Sequence, residues 1–136
     1  MDKRILLSTL WIFLTVNYIF CDVFTLMYSE ELKQILIGKV GDMEITQSFL
    51  LTFAVIMEIP MVMIFLSRIL KFNINRVLNI IAGIILTIIQ TGSLFAGTPS
   101  LHYIFFSIIE IATTLFIVWF ALKWKDAEIL INKQKN

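Results

Sequence analysis

FLLTFAVIMEIPMVMIFL, residues Phe49 to Leu66, decides how the chain is read. As a helix it is long enough to cross the roughly 30 Å hydrocarbon core of a bilayer. Its only charged side chain is Glu58, two residues before Pro60. A carboxylate at that depth costs about 3 kcal/mol or more unless it faces protein or water, which makes Glu58 a candidate site residue. Pro60 removes one backbone donor and crowds the preceding turn, which predicts a kink and leaves the Ile56 carbonyl without its helical partner. Met57, Met61 and Met63 surround the acid with flexible, polarizable side chains that suit either core filling or an adaptable pocket wall.

Working outward, the apolar run extends over Thr46–Leu70. Three more stretches of spanning length lie at about Ile5–Met27, Val77–Ala96 and Leu101–Leu122. In a chain of 136 residues with 59% hydrophobic and 15% charged residues, this leaves only short connectors and no soluble domain to carry separate chemistry. The expected fold is all-α: one integral membrane four-helix bundle spanning residues 1–136, with a short amphipathic helix between spans one and two. That extra helix is read from Ser29, an N-cap with Glu30 and Glu31 in its first turn, through Leu32, Ile35 and Leu36 on one face, to a stop at Gly38. It is either a lid or a connector resting on headgroups.

Lys3, Arg4, Arg68, Lys71, Arg76, Lys123, Lys125, Lys133 and Lys135 fall on one side of this arrangement, and only Lys33 and Lys39 on the other. The positive-inside bias then puts both termini and the middle connector, Ser67–Arg76, in the cytoplasm, with the protein in the cell's inner (plasma) membrane. Arg68 and Arg76 suit lipid phosphates there. Trp119 and Trp124 approach the same interface, and the tail beyond Lys123 reads as a helix fraying into a basic end. The net charge of +1 says nothing about partners by itself, and no nucleic-acid partner is expected. A single cysteine, Cys21, excludes an internal disulfide and any multi-cysteine metal site.

Helical spacing assigns a face to each span. Span one carries Ser8, Trp11, Thr15, Tyr18, Asp22 and Thr25, with Asn17 off that face. Span two carries Gln47, Leu51, Ala54, Glu58, Met61, Phe65 and Arg68. Span three has Arg76, Asn79, Gly83, Leu86, Gln90, Ser93 and Gly97, and its small residues allow close helix approach. Span four has Tyr103, Phe106, Glu110, Thr113, Ile117 and Trp124, and joins span three through the tight turn Gly97–Ser100. At about 1.5 Å rise per residue, Asn17, Glu58, Glu110 and Gln90 reach a common layer, with Asp22 about a turn further out.

Two carboxylates in a low-dielectric layer cannot both ionise cheaply, so one is protonated or a cation lies between them. Three activities fit: binding of a small hydrophobic or cationic amphipathic molecule, proton-coupled transport, and acid–base chemistry on a lipid or sterol. Acids that merely bridge helices are the structural alternative. The candidate ligand-binding or proton-carrying residues are Glu58, Glu110, Asp22, Gln90, Asn17, Tyr18 and Met61. No cofactor and no metal are implied. Membrane lipids are the expected partners, and a homodimer is compatible with so small a bundle.

The stretches Leu10-Trp11-Ile12-Phe13, Asn17-Tyr18, Cys21-Asp22, Met57-Glu58-Ile59-Pro60-Met61 and Leu66-Ser67-Arg68 together resemble an uncharacterised family of small bacterial four-span membrane proteins, a domain of unknown function. Asn75-Arg76, Asn79-Ile80, Ser93-Leu94-Phe95, Phe105-Phe106-Ser107 and Glu110-Ile111 extend that resemblance over nearly the whole chain. It implies the fold and no activity. A fainter similarity, carried by Asp22 and by Glu58 near Pro60, is to the four-helix membrane domain of sterol isomerases and the sigma-2 receptor. That one implies a pocket for sterols or cationic amphiphiles, although the spacing from acid to proline differs.

Overall fold

With no water in a bilayer core, helix is the open-chain form that pairs every backbone N–H and C=O within its own segment. The computed structural model, which describes residues 2–125, follows that rule through α1 (Lys3–Met27), α2 (Ser29–Leu36), the two-residue strands β1 (Lys39–Val40) and β2 (Met43–Glu44), α3 (Gln47–Ile69), α4 (Phe72–Ser93) and α5 (Leu101–Lys123). The helices α1, α3, α4 and α5 are long and apolar enough to cross a membrane. The protein is thus a multi-pass, all-α membrane protein. The expected fraying tail lies outside the described residues.

The bundle is a square in which α1 packs on α3 and α5, α5 packs on α4, and α4 closes lightly on α3. Helices α1 and α4 run toward the β-hairpin end and α3 and α5 run back, so sequence neighbours among the four are antiparallel. Lys3, Arg4, Arg68, Lys71, Arg76, Lys123 and Lys125 gather at the opposite, basic end.

Local chemistry fixes the element ends. Asp2 accepts from the Arg4 amide at 2.9 Å to cap α1, and Thr46 accepts from the Phe49 amide at 3.1 Å to cap α3. The connector expected over Ser67–Arg76 shrinks to Leu70–Lys71, and α4 starts at Phe72 rather than Val77. Asn75 explains this: its side-chain amide donates to the Ser67 carbonyl at 2.7 Å and the Leu70 carbonyl at 3.4 Å, so the end of α3 is satisfied by the first turn of α4. Tyr28, not Ser29, is the N-cap of α2. Beyond Gly38, which takes φ +79° to end that helix, an unforeseen hairpin pairs Val40 with Met43 across Gly41 and Asp42. Gly41 (φ +57°) lies against the α4–α5 turn, where an added Cβ would meet the Ala96 carbonyl at 3.1 Å.

The core is densest toward the basic end. Leu7, Trp11, Leu14, Leu86, Ile117 and Ala121 are buried, and Trp124 sets its ring edge-on to Phe72 at 5.1 Å. Trp119, by contrast, is exposed. Through this apolar mass runs a closed chain of polar contacts. The Trp11 indole N–H donates to Asn79 Oδ1 at 2.7 Å, and the Ser67 hydroxyl donates to the same oxygen at 3.4 Å. Asn79 Nδ2 donates to the Asn75 carbonyl at 2.8 Å and to its side-chain oxygen at 2.7 Å. Ser8 donates to the Ile64 carbonyl at 2.8 Å and accepts from Arg68 Nε at 3.0 Å. Three helices are thereby held in one rotational setting, since a slip of any one strands a buried donor.

Two consequences can be measured by titrating the purified protein with denaturing detergent. Asn79→Ala leaves the Trp11 N–H unpaired and should cost about 1–3 kcal/mol, whereas Thr9→Ala at an exposed position should change stability by less than about 0.5 kcal/mol. Gly83→Ala would place its Cβ 2.6 Å from Val118 Cγ2 and 3.3 Å from the Thr114 carbonyl, and should destabilise by about 1–3 kcal/mol by prising α4 from α5.

Candidate functional site

Around the hairpin-side half of the bundle the interior is polar. Glu110 on α5 is 1% exposed, and neither of its carboxyl oxygens has a hydrogen-bond partner. Its helical neighbours one turn away spend their protons elsewhere: Thr113 donates to the Ile109 carbonyl at 2.7 Å and Thr114 to the Ile111 carbonyl at 3.0 Å. Gln90 of α4 donates to the Ser107 hydroxyl at 2.8 Å, and Tyr103 donates to Ser93 at 2.7 Å, which in turn donates to the Gln90 carbonyl at 2.7 Å. Tyr18, Cys21 and Asp22 of α1 and Tyr103 of α5 lie within electrostatic reach of the acid.

The structure therefore brings Glu110, Gln90 and Tyr18 into one interior. Asn17 is buried as well, though its amide is occupied by the Phe13 carbonyl at 2.9 Å on its own helix. Asp22 is exposed at the edge of this region, one turn beyond Tyr18 toward the hairpin. Above it, His102 contacts the Thr25 hydroxyl at 3.2 Å and approaches Glu31 of α2 at 3.9 Å, so α2 is tied to the α1–α5 end.

Glu58 stands apart from Glu110. The whole stripe expected to face inward on α3 (Gln47, Leu51, Ala54, Glu58, Met61, Phe65 and Arg68) is the exposed face, and α3 instead buries Pro60, Met63 and Ser67. The physical reason is the fit to α1: compact Pro60 and Ser67 allow close approach, and Ser8 reaches the Ile64 carbonyl on that side. α3 itself runs unbroken through Pro60. Met61, at 50% exposure, faces outward and walls no interior space with Glu110. The four-helix polar layer is thus divided, with Glu110 and Gln90 inside and Glu58 outside.

Glu58 lines a groove of about 340 Å³ where α3 and α4 diverge. Val55, Ile59, Val62, Leu66, Ile81 and Ile85 are among its walls, and Glu58 is the one charged side chain lining it. The groove is open on one side. At the basic end, Arg76 donates from Nε to the Ala121 carbonyl at 3.1 Å and from Nη2 to the Leu122 carbonyl at 3.1 Å, capping α5 against its dipole. Arg68, through Ser8, braces α1 to α3. Among the described residues no three His, Cys, Asp or Glu gather as metal ligands.

Sequence reasoning did not single out the Trp11–Asn79–Asn75–Ser67 chain. Its signal was present in the spacing Asn75-x₃-Asn79-x₃-Gly83, two amides and a glycine on one helix face. A side chain kept for hydrogen bonds that bridge helices cannot lose its polar atoms without cost, and Glu110 makes no such bond. Glu110→Leu should therefore leave stability unchanged or raise it by about 1 kcal/mol, while Gln90→Leu, which abandons Ser107, should lower it by about 1 kcal/mol. Detergent unfolding of both variants checks the contrast.

No curated protein and no solved structure matches the chain significantly, so the likeness to sterol isomerases and the sigma-2 receptor finds no support there. Residues 1–131 match the sequence pattern of a family of unknown function. Nearly the whole chain is covered, and the protein belongs to that family, DUF6326.

Proposed function

We propose that the protein is a membrane-embedded binding protein for a small hydrophobic molecule bearing a positive charge, which enters the α3–α4 groove from the bilayer. The observation that carries this reading is Glu58 as the one charged group lining an otherwise aliphatic groove of about 340 Å³. That volume suits a small ligand. A carboxylate facing lipid is costly alone and is repaid by a cation held beside it, while the Val, Ile and Leu walls take the apolar body. The guest need not cross water, because it partitions first into the membrane. In this reading the protein sits in the inner membrane with its basic end toward the cytoplasm, where lysines and arginines meet anionic headgroups.

A lipophilic cation such as tetraphenylphosphonium is a direct probe. Reconstituted protein should bind it saturably, and Glu58→Gln should weaken binding by roughly tenfold, or about 1.4 kcal/mol. Glu110→Gln should bind as the wild type does. Equal affinity in wild type and Glu58→Gln, or no saturable binding at all, would sink the proposal.

A further inference from the structure

We propose that Glu110 is a reversible proton-binding site inside the bundle, loaded from the hairpin end past Asp22. This site is separate from the α3–α4 groove and stands on different observations. Glu110 is 1% exposed, and both carboxyl oxygens lack partners. A buried carboxylate is stable when donors or a cation surround it. Here the nearby donors are turned away: Thr113 and Thr114 to carbonyls of their own helix, Gln90 to Ser107, and Tyr103 to Ser93. No described basic side chain forms an ion pair with the acid. The ligand such a place accepts is one that removes the charge without needing a coordination shell, and that ligand is a proton.

The titratable groups near Glu110 fit exchange rather than permanent closure. From α1 these are Tyr18, Cys21 and Asp22, from α5 Tyr103, and α4 contributes the uncharged Gln90. On α3, Glu58 lies on the outer groove, away from this interior. Asp22 is exposed while Glu110 is not, and Asp22 is close enough for its charge to act on Glu110. A proton taken up at the Asp22 carboxylate has a second acceptor further inward at Glu110, and because the two make no hydrogen bond the transfer runs through an intervening water. In that step one O–H bond breaks at Asp22 and one forms at Glu110, leaving Asp22 ionised and ready to reload.

Infrared spectroscopy of the protein in lipid vesicles reads this site directly. The wild type should show the C=O stretch of a protonated buried carboxyl that converts reversibly to the carboxylate bands as buffer pH is raised. Glu58→Gln should keep the band and Glu110→Gln should lose it. Transfer to heavy water should shift the band, severalfold more slowly in Asp22→Asn. Because Glu110→Gln could fold poorly, the wild type is also treated with dicyclohexylcarbodiimide, which attacks protonated carboxyls in apolar surroundings. Peptide mass spectrometry should place the adduct on Glu110, with labelling suppressed at high pH. Four results would each overturn the proposal: identical wild-type and Glu110→Gln spectra in folded protein, a band indifferent to pH, exchange unaffected by Asp22→Asn, or Glu110 unlabelled at every pH.

Discussion

The amide of Asn79 accepts from Trp11 and Ser67 and donates twice to Asn75, all of them buried between helices. Inside a membrane, apolar contact with lipid is nearly as good as apolar contact with protein, so hydrophobicity alone does not hold helices together. What does is the requirement that each buried donor find an acceptor, together with close contact at small residues. Asn79 meets that requirement for α1, α3 and α4 at once. Gly83, one turn further along α4, provides the second element by letting α5 approach.

How much of this the sequence carried varies by helix. The faces of α4 and α5 were legible, because Asn79, Gly83, Leu86 and Gln90 on one and Glu110, Thr113 and Ile117 on the other put polar or small residues at helical spacing. On α1 the reading was half right: Ser8, Trp11 and Tyr18 turn inward, but Asp22 turns out and Asn17 in. On α3 it failed. With one charged residue to anchor the stripe, the polar-side-inward rule pointed at Glu58, whereas the buried face is marked by Pro60, Met63 and Ser67. In a lipid environment the inward face is chosen by shape and hydrogen bonding, and neither shows in a hydropathy pattern.

The same reasoning explains the fate of the two mid-membrane acids. Depth along a helix can be counted from sequence, and that counting puts Glu58 and Glu110 at comparable depths. Direction around the helix cannot be counted so simply, and it separates them into a lipid-facing groove and a closed interior. The connectors were harder still. The two-residue link at Leu70–Lys71 depends on Asn75 reaching back across the turn, and the small hairpin depends on Gly41 resting against the α4–α5 turn. Both are contacts between segments, invisible in either segment alone.

Helix α3 meets α4 lightly along its length and is tied to it tightly at the basic end, by the Leu70–Lys71 link and the amide of Asn75. The pair is therefore fixed at one end, and the groove lined by Glu58, Leu66 and Leu78 runs from mid-helix toward that fixed end. In a bilayer, acyl chains would cover the groove's open side, and lipid would then serve as one of its walls.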